Sequence, residues 1–157
     1  MANILEQVGM GESVLTGKKA WTYAEEILLQ VSRTFALNIN VLKGKLHKSI
    51  LLAYLFLRIA DTVEDDPVMD ADEKEHLLSL FADIFRKELP EVYASPVRDV
   101  TIEMCGGMAQ FAKRQEEALS QGWFTLETVA DLDEYCYYVA GIVGRLLSHL
   151  FAADTCF

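Results

Sequence analysis

The sequence predicts an all-α protein, and three observations support this fold class. Apolar residues recur with a helical period along almost the whole chain. Runs in which Val, Ile and Thr alternate with polar residues, which would predict a sheet, are missing from the sequence. The three prolines fall between the periodic segments, where they would end or begin helices. With 157 residues and 52% hydrophobic content, we take 1–157 as a single domain with a buried core.

The first half of the chain predicts three helical segments. The first covers residues 21–31 and breaks at the polar step 32–34, before the apolar segment 35–42. Residues 43–45, with a central glycine, predict a turn. The most apolar helix then covers 47–64 and is stopped by a proline soon after its acidic end.

The second half predicts three more helices with clear start signals. Asp70 and Glu73 form a capping-box pattern before a helix that ends at Pro90. Ser95, followed by a proline, predicts the start of a long helix to about residue 119. The last helix runs from about 128 through the apolar segment that ends at 151.

Composition excludes several functional classes. A net charge of −10 repels phosphate backbones, and the 14 Lys and Arg residues form no basic patch, so we expect no nucleic-acid partner. The three histidines are far apart and show no zinc-binding spacing. Cys105, Cys136 and Cys156 form no CxxC pair and are odd in number, which favours a reducing, cytoplasmic compartment over a disulfide-bonded secreted domain.

Two apolar stretches raise the question of a membrane. They cover residues 50–60, which include Arg58, and 135–153, which include Arg145 and His149. We expect that neither provides the roughly 20 apolar residues of a membrane span. The N-terminus lacks the basic start and apolar run of a signal peptide. We therefore expect a soluble protein, with peripheral association with a membrane surface left open.

The segment 51–66, LLAYLFLRIADTVEDD, joins an apolar helix to a cluster of acids. At about 100° per residue, Tyr54, Arg58, Asp61 and Asp65 share one face of this helix. An exposed, solvated helix end would explain the acids without any ligand. It would not explain an arginine one turn upstream inside an apolar run, where a long side chain has little room to reach water.

The spacing of these acids predicts a divalent cation. Asp61, Glu64 and Asp65 stand at i, i+3 and i+4, so their oxygens can point into one small volume, as hard cations require. Like charges so close would otherwise raise each other's pKa. Magnesium would remove this conflict, and it usually binds together with a phosphate-bearing substrate.

Three segments together resemble a known family. They are SRTFALNI at 32–39, AYLFLRIADTVEDD at 53–66 and YCYYVAGIVGRLLSHLF at 135–151. In this order they resemble the squalene and phytoene synthases, the head-to-head prenyltransferases, over most of 23–151. The ending GRLLSHLF is more similar to the squalene branch.

The resemblance implies a fold, a reaction and a set of site residues. The fold would be the α-helical isoprenoid (terpenoid) synthase fold, in which Mg²⁺ and a central cavity serve the condensation of two prenyl diphosphates such as farnesyl diphosphate. In the squalene branch NADPH would then reduce the intermediate. By matched position, the implied residues are Asp61, Glu64 and Asp65 for the metal; Tyr54 and Tyr135 for catalysis; Ser32, Arg33 and Arg58 for the diphosphate or the NADPH phosphate; and Phe35, Val139, Gly141, Gly144 and Leu147 for the substrate pocket.

The small residues of the last helix have a second interpretation. Ala140, Gly141, Gly144 and Ser148 form a strip on one face, which either a prenyl chain or a neighbouring helix could approach. Both alternatives stay open at this point.

The sequence departs from the family pattern in one respect that affects the expected activity. Family members carry a second aspartate-rich motif on a later helix, and this sequence reaches Phe157 without one. Asp131, Asp133 and Glu134 open the last helix, where they complement its dipole. We therefore expect an incomplete bundle lacking its C-terminal helices: a truncated product, a fragment or one part of a split enzyme, with little turnover unless a C-terminal half or an oligomer completes it.

Two other functions remain as alternatives. The chain could be a non-catalytic helical assembly or interaction protein of the same superfamily, or a generic acidic helical bundle. The intact set of Asp61, Glu64, Asp65, Arg33 and Arg58 favours ligand binding over both.

Overall fold

The computed structural model describes residues 17–87, 95–122 and 126–154. Within these ranges the chain forms helices and turns and no strand, which confirms the all-α fold class. The helices are α1 (Gly17–Val31), α2 (Arg33–Asn40), α3 (Gly44–Glu64), α4 (Ala71–Lys87), α5 (Ser95–Ser120), α6 (Val129–Cys136) and α7 (Ile142–Asp154). A π-helical turn, Tyr137–Gly141, joins α6 to α7.

The helices of the first half begin earlier than predicted. α1 begins four residues before the predicted start at 21, and α3 begins at Gly44 instead of 47. The predicted break at 32–34 shrinks to Ser32, because its hydroxyl oxygen accepts a hydrogen bond from the Phe35 amide at 3.2 Å and caps α2. Gly44 starts α3 at φ +59°, a conformation that favours glycine.

The start signals of the second half are confirmed in part. The Glu73 amide donates to Asp70 Oδ1 at 2.8 Å and the Asp70 amide donates to Glu73 Oε2 at 3.3 Å, which completes the predicted capping box. α5 begins at Ser95 as predicted, although the Ser95 hydroxyl donates to Asp99. The predicted end at Pro90 lies outside the described residues.

Helix α5 lies at the centre of the packing. It contacts α3, α4 and the last helical segment, and ten of its residues are buried. Leu28, Leu51, Leu78 and Ile142 on other helices are fully buried in the same core. At Gly107, a side chain is excluded because the Tyr138 ring packs directly on the backbone.

Two of the three cysteines lie within the described residues. Cys105 is buried in α5, and burial raises the pKa of its thiol to about 12, so it behaves as a small core residue. Cys136 is exposed, and both thiols are free. Cys156 lies outside the described residues.

One expectation about membranes needs correction. The continuous helical segment Val129–Asp154 is long and apolar enough to cross a membrane by length and composition. Our prediction excluded the stretch because of its charged residues, but a span tolerates a few charges, and Arg145 pairs with Glu103 on α5. A single helix of this kind is weak evidence for a span; Ile142, Leu146 and Leu150 are buried in the core, and 17% of the apolar window is buried in all.

Alanine substitutions at two neighbouring glycines of α5 test the close packing of the Tyr138 ring on this helix. A Cβ at position 107 would lie 2.2 Å from the Tyr138 ring, whereas one at position 106 would meet nothing within 4 Å. We expect Gly107→Ala to destabilise the fold by about 1–3 kcal/mol through overpacking. Gly106→Ala should stabilise it by about 0.5–1 kcal/mol, because alanine restricts the unfolded chain. Urea unfolding of both variants checks this, and equal effects would show that the close contact at Gly107 is wrong.

Candidate functional site

An apolar cavity of about 580 Å³ lies between α2, α3, α5 and the last helical segment. Six of the predicted site residues line it: Phe35, Tyr54, Arg58, Asp61, Val139 and Leu147. Most of the remaining lining is aliphatic, and Met104 of α5 contributes to it. Of the four residues that the helical period predicts on one face, Tyr54, Arg58 and Asp61 line this cavity, whereas Asp65 does not.

Aromatic and charged groups occupy different parts of this cavity. The rings of Phe35 and Tyr54 pack with their centroids 5.2 Å apart, and Phe35 remains 54% exposed. One turn further along α3, Arg58 forms an ion pair with Asp61. Their side chains are 44% and 30% exposed, so this pair lies where the cavity meets solvent. The cavity thus has apolar walls and a charged mouth.

A second, more polar cleft of about 370 Å³ lies at the C-terminal end of α3. Glu64, Asp65, Lys74 and Tyr135 line it, together with Asp66. The Lys74 ammonium donates to the Glu64 backbone carbonyl at 2.6 Å, so a cation from α4 lies beside the acids. Asp66 Oδ1 accepts from the amides of the next turn, which makes that carboxylate a structural cap.

The acids of this cleft repel one another. Burial raises the pKa of Glu64, and the neighbouring Asp65 carboxylate raises it further through its charge and a hydrogen bond. Burial also raises the pKa of the Tyr135 hydroxyl, and the charges of Glu64, Asp65 and Asp61 act in the same direction. Tyr135 therefore lies in the combined field of all three predicted metal ligands.

The three carboxylates do not converge as the sequence predicts. Asp61 turns toward Arg58, while Glu64 and Asp65 face the polar cleft one turn further on. Within the described ranges no three Asp, Glu, His or Cys side chains are grouped as a metal site. The crowded Glu64 and Asp65 carboxylates nevertheless fit a hard divalent cation, because oxygen ligands are what Mg²⁺ prefers and its charge would relieve their repulsion.

Four predicted residues lie away from both cavities. The Ser32 hydroxyl is engaged in capping α2, and Arg33 is exposed at the start of that helix. Gly141 and Gly144 are exposed and line neither cavity. The resemblance implies both glycines as pocket residues by matched position, but they lie on the exposed side of the segment whose Val139 and Leu147 line the cavity.

An aromatic support holds Tyr135. The Phe111 ring of α5 packs edge-on against Tyr135 at 5.4 Å, and the Arg114 guanidinium lies 4.7 Å from the centre of the Phe111 ring. Arg114 also donates to Asp131 at 2.6 Å and to Glu134 at 3.1 Å. Sequence reasoning missed Phe111, Arg114 and Lys74, because each acts through residues that are distant in the chain.

The comparisons with known proteins agree with this geometry. The squalene/phytoene synthase family profile matches residues 28–155. This chain belongs to the squalene/phytoene synthase family. It is 34% identical to squalene synthase 1 of Arabidopsis thaliana over 160 residues and 34% identical to the squalene synthase of Solanum lycopersicum over 161 residues. Each alignment covers 85% of this chain.

A structural relative supports the fold of this squalene/phytoene synthase family member. A solved structure of TcSQS with a ligand superposes with a TM-score of 0.71 and 27% identity, covering 85% of this chain and 45% of that one. The isoprenoid synthase fold implied by the resemblance is thereby confirmed. The chain spans 37% of the length of the two plant relatives.

The start of α6 gives a pH-dependent prediction. Hydrogen bonds from the Thr128 hydroxyl, and then from Arg114, lower the pKa of Asp131 below its ordinary value of 3.8. A lowered carboxyl pKa stabilises the fold above the unfolded-state value, and this contribution disappears as pH falls through the folded value. We expect Asp131→Asn to lower stability at pH 7, and we expect this difference to shrink as pH falls below 3.8 and to disappear below the lowered pKa of Asp131 in the folded state.

Denaturant unfolding across this pH range measures the difference. Asp133→Asn is the control, because Asp133 is exposed on the same helix and lies outside the cap. A stability loss in Asp131→Asn that persists unchanged at low pH would contradict the electrostatic origin.

Proposed function

We propose that this chain is the N-terminal portion, as one domain over 1–157, of a head-to-head prenyltransferase that binds prenyl diphosphates of the farnesyl type. The apolar cavity with a charged mouth is the observation that carries this proposal. Its volume of about 580 Å³ lies within the roughly 300–1,000 Å³ typical of small-molecule sites. A prenyl diphosphate has the matching division into an apolar chain and a polar anionic head.

The prenyl chain would bind against the aliphatic and aromatic walls. Val139, Leu147 and Met104 line the cavity, and their contact with a prenyl chain removes apolar surface from water. Tyr54 and Phe35 add aromatic faces at the same wall. Such faces favour the positive charge that develops on an allylic carbon when the carbon–oxygen bond to diphosphate breaks.

The diphosphate would bind at the charged mouth. Arg58 supplies a guanidinium whose fork geometry suits phosphate oxygens. When a phosphate binds, Arg58 must either break its ion pair with Asp61 or contact both groups at once. Glu64 and Asp65 would hold Mg²⁺, and Asp61 would join them once it leaves Arg58. The ion, when bound, supplies positive charge for the leaving diphosphate. Tyr135 lies in the acidic cleft and would hold its proton there, because its pKa is raised.

NADPH remains a prediction for the squalene branch. The two arginines assigned to its phosphate are not brought together, since Arg58 lines the cavity and Arg33 does not. Because only one of these two arginines lines the cavity, we derive no reduction step.

For localisation, we propose a cytoplasmic protein that associates with membranes peripherally. One face of Val129–Asp154 lines the cavity and packs on α5, so this segment serves as a wall of the site. We expect alkaline carbonate to release the chain from membranes, because a packed cavity wall does not span the bilayer. Retention in the membrane pellet, as for an integral control protein, would contradict the proposal.

Binding of a non-hydrolysable farnesyl thiolodiphosphate tests the proposed function. We expect Mg²⁺-dependent binding that Arg58→Gln weakens by about 10- to 100-fold, because a charge-assisted hydrogen bond to phosphate is lost. Isothermal titration calorimetry measures both values. Arg86→Gln is the matched control, since Arg86 forms a similar i,i+3 pair with Asp83 on α4 and does not line the cavity.

Two outcomes would overturn the proposal. The first is wild-type chain that binds no analogue with Mg²⁺ present, which would favour the non-catalytic assembly protein. The second is an equal loss of affinity in Arg58→Gln and Arg86→Gln, which would show that Arg58 has no specific role at the mouth.

A further inference from the structure

The π turn in the last helical segment separates two functional halves. Tyr135 precedes the turn and lines the acidic cleft. Val143 and Leu147 follow it and line the apolar cavity. A π turn takes in one more residue than an α turn, so it changes the phase of the helix by about 100°. The π turn therefore sets the rotation of the second half of the segment relative to the first. With this rotation, the first half lines the acidic cleft while the second half lines the apolar cavity.

Glu103 of α5 contacts one side chain at the start of the π turn and one beyond its end. We call Glu103, Tyr137 and Arg145 the polar clamp. The Tyr137 hydroxyl donates to Glu103 Oε1 at 2.7 Å, and Arg145 forms an ion pair with the same carboxylate. Arg145 Nη1 also donates to the Tyr137 hydroxyl at 2.7 Å. Tyr137 is the first residue of the π turn, and Arg145 lies one turn beyond its end.

The contacts of the clamp can form only if the π turn is present, because the π turn changes the angle between Tyr137 and Arg145 about the helix axis. In an uninterrupted α-helix, residues eight apart such as Tyr137 and Arg145 would point about 80° apart. The extra residue of the π turn reduces this difference to about 20°, as for residues seven apart in an α-helix. Both side chains can then reach one carboxylate. An α-helical register would separate them and break the network.

We propose that Glu103 is a positioning residue: by holding Tyr137 and Arg145 it keeps the π turn in place, and the π turn aims the two helix halves at the two cavities. Glu103 adjoins Met104, which lines the apolar cavity, so the clamp sits directly behind the cavity wall. This inference rests on the proposed function for the identity of the ligand, whereas the clamp itself rests on the contacts of the free chain.

The side chains of the clamp are partly exposed. We therefore expect their substitution to change local stability at the π turn more than the free energy of global unfolding. The Arg145 and Glu103 side chains are 40% and 37% exposed, and ion pairs at such sites contribute little to global stability. Lys113 and Glu75 form a comparable pair between α5 and α4 with similar exposure, away from both cavities. Glu75→Leu is therefore the matched control for Glu103→Leu.

The first experiment needs no ligand. Amide hydrogen exchange is measured on the free, full-length chain for peptides that cover residues 137–145. We expect Glu103→Leu to speed exchange there by about tenfold, while Glu75→Leu leaves these peptides unchanged. Glu103→Gln should restore much of the protection, because its amide oxygen still accepts from Tyr137 and Arg145. Wild-type protection in Glu103→Leu would overturn the proposal.

The second experiment measures how the chain length of the ligand affects affinity. Farnesyl and dimethylallyl thiolodiphosphates share the head group, but only the longer chain reaches far along the wall beyond the π turn. We expect Glu103→Leu to reduce the ratio of their affinities by about tenfold. A merely structural role would weaken both ligands alike and leave the ratio unchanged, which would overturn the positioning role.

The two failures can be told apart. If the wild type binds neither ligand, the proposed function fails, and the exchange result still decides the clamp. Should Glu103→Leu not fold, Tyr137→Phe removes one hydroxyl from the clamp and keeps the ring. It should show smaller changes in the same direction, and wild-type exchange in this variant would count against the clamp.

Discussion

The packing of α5 against α3, α4 and the last helical segment is the contact on which both cavities depend. Gly107 lets the Tyr138 ring lie against the α5 backbone, and this contact holds the π turn close to α5. Phe111, one turn further along α5, supports Tyr135 in the acidic cleft. Glu103, one turn earlier, holds Tyr137. A single helix therefore sets the position of the residues on both sides of the π turn.

A second constraint is the crowding of negative charge at the end of α3. The apolar face of this helix is buried, so its acidic end is held close to the core. Arg58 and Lys74 each engage part of this end, while burial and, after it, the neighbouring Asp65 carboxylate raise the pKa of Glu64. Under the proposed function, a divalent cation bound at this end would offset the crowded charge and connect the apolar helix with phosphate chemistry.

The helices and several of their starts could be predicted because they depend on neighbours in the chain. The Asp70 and Glu73 capping box is a local pattern, and the helical period correctly places Tyr54 and Asp61 on one face. The π turn escaped prediction, since no local signal distinguishes it from α-helix. The resemblance implies Gly144 as a pocket residue by matched position, but Gly144 is exposed and does not line the cavity.

The all-α class, the helix order, the family and the acidic end of α3 could all be predicted from residue order, because periodicity, caps and short motifs are local properties. Helix packing, by contrast, turns Asp61 toward Arg58 and directs Glu64 and Asp65 into a separate cleft. It also decided that Glu103 clamps a π turn. These arrangements depend on contacts between residues far apart in the chain, whose geometry follows from how the helices pack rather than from the order of their residues.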